Sequence, residues 1–189
     1  MKKTSSILIL LLGLTFFVSC GQNLKPKPAD KFLEFLNNYQ VDSLQILVTD
    51  DFQLNRTYTT YKNDKKSFFD EYIPISKNFN GKYKILKTNH NELTTEFLVE
   101  DQSDYFKYLN IDYPKWKIIL TTTNKDKIVG MTIDTTKSYQ TYLSQIKQKN
   151  ENFESWLKTN YPDETNDILY STTGLLTRRL KEYAKKHNK

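Results

Sequence analysis

The chain has one cysteine, Cys20, and two histidines, His90 and His187. A lone thiol leaves no partner for an internal disulfide. Zinc sites need three or four convergent ligands, and one histidine in "KTNHNEL" with another in the basic tail does not supply them. Five glycines are scattered at positions 13, 21, 81, 130 and 174, so no glycine-rich phosphate loop exists, and no Gly-x-Ser-x-Gly elbow surrounds a serine. The acidic stretch "EDQSD" (100–104) lacks the central glycine and twelve-residue loop of a calcium-binding hand and reads as a solvated turn. No metal and no cofactor is expected. The 28 basic and 22 acidic residues are interspersed and sum to +6, which is too mild and too mixed for a nucleic-acid footprint.

What the chain does have begins at its N-terminus. Lys2 and Lys3 precede an apolar stretch, Ile7–Leu12 and Leu14–Val18, broken by Gly13 and Thr15. It is short for a membrane span and matches the hydrophobic region of a secretory signal. A buried N-terminal helix would need a polar face, which is missing. Val18-Ser19-Cys20-Gly21 resembles the cleavage box of bacterial lipoproteins, with Phe17 where Leu is usual. The resemblance implies that residues 1–19 are a removed signal peptide and that Cys20 carries acyl chains, such as palmitate, enough for stable anchoring. Cys20 is then an anchor and not a nucleophile. Residues 20–28, with Pro26 and Pro28, read as a tether. They lack the acidic surface-export signal of some Bacteroidota lipoproteins, which implies an outer-membrane anchor facing the periplasm.

Past the tether the periodicity is helical. Phe32, Leu33, Leu36 and Tyr39 recur at three and four, with Asp30 as the expected cap. A short second helix carries Leu44, Leu47 and Val48 behind Asp42. Phe52–Tyr61 reads as strand or irregular chain. Asp64 is the expected cap of a third helix bearing Phe68, Phe69, Tyr72 and Ile73, which Pro74 should end or kink. Period two then takes over: Tyr83 and Ile85; Leu93, Thr95, Phe97 and Val99; Trp116, Ile118, Leu120 and Thr122; and finally Ile128–Ile133. These read as antiparallel strands. Asp104–Tyr113 reads as a bulged strand or a loop over a pocket. From Ser138 two amphipathic helices are expected, the second with an interruption at 171–174.

The segments "FLEFLNNYQVDSLQILVTDDFQLN" and "WKIILTTTNKDKIVGMTI" resemble the opening and the closing hairpin of the nuclear-transport-factor-2-like superfamily. The implied fold is α+β: a curved antiparallel sheet forming a cone around N-terminal helices. It would cover residues 29–136, with 137–189 as an added helical extension. In that superfamily the open end of the cone presents a pocket, and some relatives, ketosteroid isomerase among them, transfer protons there. The positions matching that isomerase's base and acid are Asn55 or Arg56 and Ile118 or Ile119. None of these four side chains can do that job.

The candidate site is therefore aromatic. Tyr58, Tyr61, Tyr72, Tyr105, Tyr108, Tyr113 and Trp116 fall where cone-shaped relatives build their pocket and rim, suiting a small apolar or glycan-like ligand. The competing assignment is plain core filling, although their polar tips need partners. Asp42-Ser43-Leu44 and Asp134-Thr135-Thr136 resemble bacterial O-glycosylation motifs at Ser43 and Thr135. The basic helix end, Arg178, Arg179, Lys181, Lys185 and Lys186, reads as solvated, an anionic membrane surface being the other reading. The expectation is a lipid-anchored envelope protein whose domain binds a small ligand or an envelope protein partner without catalysis. The alternative is a pocket lyase, cyclase or isomerase using a tyrosine with His90 or an Asp. A titratable group with a displaced pKa inside the cavity separates the two.

Overall fold

A computed structural model of the chain describes residues 27–172 and 174–187. The expected signal segment, Cys20 and most of the tether lie outside the described residues. Among the described residues no helix is long and apolar enough to cross a membrane.

Helix α1 (Pro28–Asn37) starts two residues earlier than its apolar period predicts. Pro28 occupies its first turn, where a missing N–H costs nothing. Asp30 is consequently not a cap but a first-turn acid favoured by the helix dipole. The same holds for Asp42 in α2 (Val41–Leu47), which follows Gln40. Asp64 does cap α3 (Lys65–Ser67), its Oδ1 accepting the Ser67 N–H at 2.8 Å. A π-turn over Phe68–Tyr72 leads into α4 (Ile73–Asn78). Pro74 therefore falls in the first turn of a new helical segment and is tolerated there, instead of ending the helix.

Six strands follow the order β2-β1-β6-β5-β4-β3. They are β1 (Val48–Arg56), β2 (Asn63–Asp64), β3 (Lys82–His90), β4 (Thr94–Gln102), β5 (Lys115–Thr122) and β6 (Ile128–Asp134). All pairings are antiparallel except β1 with β6, which is parallel. Register shifts in the β1/β6, β3/β4 and β5/β6 ladders bend the sheet. The sheet is curved and does not close.

The inner face carries Phe52 and Leu54, Phe97 and Val99, Ile118 and Leu120, and Met131, all nearly inaccessible. Against it pack Phe32, Leu33 and Leu36 of α1, Leu44 of α2, and Phe68. The rings of Phe32, Phe52 and Phe68 meet at centroid distances of 4.9–6.1 Å, within the range of favourable aromatic pairs.

Residues 104–113 are neither strand nor plain loop. They begin with α5 (Asp104–Leu109), capped by Ser103, whose Oγ accepts the Tyr105 N–H at 3.1 Å. Left-handed Asn110 ends it. Spacing of three puts Phe106 and Leu109 on one buried side. They join a second core with Phe153 and Leu157 of α6 (Tyr139–Asn160), Leu169 of α7 (Asn166–Ser171), and Leu175, Leu180 and Tyr183 of α8 (Leu175–His187). The expected interruption is real: Gly174, at φ +75°, separates α7 from α8. Arg179 departs from the solvated reading. It bonds Glu164 and Glu182 and lies 3.5 Å from the Tyr161 ring centroid, tying α8 to the α6–α7 turn.

Candidate ligand pocket

Where the two cores meet, the inner face of the sheet is left uncovered over one row of residues. On three strands the inward alternation ends there with something other than an aliphatic side chain: Arg56 after Phe52 and Leu54 on β1, Trp116 before Ile118 and Leu120 on β5, and Asp101 after Phe97 and Val99 on β4. Tyr83 of β3 is the cross-strand partner of Asp101, and Ile133 of β6 is the partner of Arg56. Cross-strand partners share a face, so these residues, staggered along that face, form the floor of a cavity of about 400 Å³.

Helical elements build the walls. Glu71 and Tyr72 come from the π-turn, Ile75 and Ser76 from α4, Tyr105 and Phe106 from α5, and Tyr142 and Ile146 from α6. Tyr58 and Tyr61 enter from the β1–β2 connection and Asn63 from β2. The volume lies within the range of small-molecule sites, and the lining combines nine aromatic residues with seven polar or charged ones.

Asp101 is the titratable group inside. Burial disfavours its charged form and pushes the carboxyl up to about 7, opposed only by a hydrogen bond from Trp116. That bond, Nε1 to Oδ2, spans 3.3 Å. Among the described residues no basic side chain forms an ion pair with Asp101.

The phenols around it are all held in the neutral, donating form. Burial is the main cause of the raised pKa at Tyr58, Tyr72, Tyr83 and Tyr142, and the negative charge of Asp101 adds to each. Burial likewise pushes Tyr105 up to about 12. The Tyr72 and Tyr83 hydroxyls are 2.6 Å apart. Tyr105 donates to Asn150 Oδ1 at 2.6 Å. Tyr58, although partly exposed, stacks on Trp116 with centroids 5.2 Å apart and 19° between the planes.

Tyr83 is positioned from outside the pocket. The Asn37 amide of α1 donates to the Tyr83 carbonyl at 2.9 Å and accepts the Tyr83 N–H at 2.7 Å. Tyr39 donates to the Gly81 carbonyl at 2.6 Å. These contacts hold the start of β3, an otherwise exposed edge strand, against α1.

Of the seven aromatics read from the sequence, five line the cavity: Tyr58, Tyr61, Tyr72, Tyr105 and Trp116. Tyr108 and Tyr113 pack on the second core instead, Tyr108 from α5, which stands where a bulged strand or a loop is expected. His90 closes the β3–β4 hairpin, its Nδ1 3.1 Å from Thr95 Oγ1, and takes no part in the cavity. Ser43 on α2 and Thr135 after β6 are half-buried and outside it.

Asp101, Tyr83 and Tyr142 are lining residues that the sequence reading did not single out. "EDQSD" is not a solvated turn: Glu100, Asp101 and Gln102 are the end of β4, and Asp104 opens α5. Extending the alternation Thr95, Phe97, Val99 by one step reaches Asp101, and that signal was present in the sequence. Arg56 does point into the cavity, whereas Ile118 is sealed in the first core. Among the described residues no three His, Cys, Asp or Glu side chains form a metal-binding set.

No protein-family model matches the sequence, and no curated protein is similar to it. Solved structures are similar in fold. A protein from Kribbella flavida DSM 17836 superposes with a TM-score of 0.51 at 12% identity, covering 68% of this chain and 94% of that one. An NTF2-like protein of unknown function from Cytophaga hutchinsonii ATCC 33406 gives 0.44 at 11% identity over 59% and 91%. A SnoaL-like protein of unknown function from Burkholderia thailandensis E264 gives 0.43 at 7% over 56% and 88%. The likeness is one of fold alone: a mixed α+β chain with a curved, unclosed sheet and packed helices.

Proposed function

We propose that the pocket is a proton-transfer site for a small, largely apolar carbonyl compound, with Asp101 as general base, in a domain anchored to the bacterial envelope through Cys20. The observation that carries the reading is a carboxyl group without a basic partner in the wall of an aromatic cavity, held by a single indole N–H. A base is most effective when its pKa lies near the working pH, and desolvation moves Asp101 there. This favours the pocket enzyme over a purely binding module.

In the step proposed, the Asp101 carboxylate takes a proton from the carbon next to the carbonyl. The C–H electron pair becomes the enolate double bond, and the carbonyl oxygen takes the negative charge. Neutral phenols at Tyr58, Tyr72 and Tyr142 are the available donors to that oxygen. The proton then returns from Asp101 to carbon or oxygen, so the base is regenerated.

Solvent-deuterium exchange tests this directly. A panel of aryl ketones and aryl keto acids is incubated in deuterated buffer with the wild type or D101N and followed by NMR. At least one member should exchange about a hundredfold or more faster with the wild type, the usual worth of a positioned base. Equal rates across the panel would sink the assignment. For the anchor, labelled palmitate should enter the wild type and not C20A; equal labelling would remove it.

A further inference from the structure

The same cavity holds a cation that the proton-transfer step does not use. Arg56 sits at the end of β1 with its guanidinium over two rings of the lining, 5.7 Å from the Tyr61 centroid and 5.5 Å from that of Tyr72. Its Nη1 donates to Asn63 Oδ1 at 3.0 Å, and Asn63, 2% exposed, in turn donates to the Tyr61 hydroxyl at 3.2 Å. A buried neutral amide thus fixes the orientation of the guanidinium. Arginine offers five N–H donors, and its contacts to the Asn63 amide and the Tyr58 hydroxyl leave part of that capacity unspent.

Among the described residues no carboxylate forms an ion pair with Arg56. Of the two carboxylates in the lining, Glu71 accepts from Tyr61 at 2.7 Å and Asp101 from Trp116 at 3.3 Å. A partly desolvated cation is costly without a counter-charge, and the planar guanidinium fork matches a carboxylate in a bidentate pair. Arg56 on β1 and Asp101 on β4 are separated by β6 and β5 in the sheet, and Tyr58 and Tyr72 feel the charge of both. A ligand touching both residues therefore presents its anion to Arg56 and its reacting carbon to Asp101.

We infer that the ligand is a carboxylate-bearing compound with an apolar, ring-sized body, its carboxylate held by Arg56. This rests on the cavity being the binding site and deepens the proposed function, since an aryl keto acid combines the two groups. Lys82 at the rim is also without a carboxylate partner among the described residues, but it is exposed and no buried group orients it.

The test is a paired titration followed by the fluorescence of the two tryptophans and by NMR. Phenyl- and naphthyl-alkanoates such as 3-phenylpropanoate are compared with their primary amides, which keep shape and lose charge. The wild type should bind the best carboxylate about tenfold or more tighter than its amide, as a charge-assisted pair implies. R56Q should abolish that preference, R56K should retain part of it, and K82Q should leave it intact. D101N should keep or strengthen it, so loss of deuterium exchange in D101N with the preference intact separates the two proposals. Equal binding of carboxylates and amides by the wild type overturns the inference, as does a preference that survives in R56Q. Binding of neither class overturns it together with the pocket assignment.

Discussion

Asp101 and Tyr83 face each other as direct partners across β4 and β3, so a carboxyl and a phenol enter the cavity side by side. Burial favours the protonated form of both. For Asp101 the folded-state pKa of about 7 lies above its ordinary value of 3.8. Between those values the folded chain binds more protons at this site than the unfolded chain does. Stability from this group is therefore lost as pH rises from about 4 through about 7, and the penalty is constant above that. D101N removes the penalty. The variant should be more stable than the wild type at pH 8 by at most about 4 kcal/mol, from three units at roughly 1.4 each, and the gain should vanish toward pH 4. Urea unfolding at four pH values checks this; a pH-independent difference would contradict it.

Trp116 supplies the one hydrogen bond that opposes this shift. W116F keeps an aromatic ring against Tyr58 and deletes the donor. The Asp101 carboxyl should then titrate above its wild-type value, and stability should fall by about 1–3 kcal/mol for the lost bond and smaller ring. Carboxyl-carbon NMR across pH 5–9 reads the first effect and urea unfolding the second. An unchanged titration midpoint would mean that the indole contact does not hold the carboxylate.

Asn37 acts on the pocket without touching it, through both backbone groups of Tyr83. N37L should cost roughly 2–4 kcal/mol, because two backbone groups lose their partner in a half-buried setting. N37D keeps the acceptor for the Tyr83 N–H and should cost less. Both variants should also raise amide hydrogen exchange at the start of β3 while the β5–β6 hairpin keeps its protection. Uniform deprotection of the whole sheet would show that Asn37 supports the fold at large and not this strand.

Legibility in the sequence followed the strength of the local period. The strand runs through Phe97 and Val99, through Ile118 and Leu120, and up to Ile133 were readable because alternation and β-branched residues agree. The α5 segment was not. Tyr105, Phe106, Tyr108 and Leu109 are crowded enough to fit strand or helix, and Ser103 as cap decided it. Helix starts at Pro28 and Val41 were masked by Asp30 and Asp42, acids equally at home as caps or in a first turn. The site was half legible. The aromatics mark the right end of the sheet, yet the acids beside Asp101 make its segment read as surface. The alternation through Val99 gives the direction of Asp101 but not its cover, which comes from a second core running from Phe106 to Tyr183, 5 to 82 positions later.

That second core backs the α5 and α6 side of the pocket, and this wall can be filled. Ile146 of α6 reaches the cavity beside Tyr142, yet it is only half-buried and belongs to neither set of fully buried core residues. I146W places an indole into a space of about 400 Å³, where added volume meets open cavity and not packed atoms. Its cost in stability should stay below about 1 kcal/mol, whereas the same change at a packed position costs more. Binding of aryl carboxylates and the deuterium exchange should both fall by about tenfold or more, since the ligand and the indole compete for one volume. Thermal unfolding, the paired titration and the exchange assay together check this. Full binding in a stable I146W would place the ligand outside this cavity and refute the role given to α6.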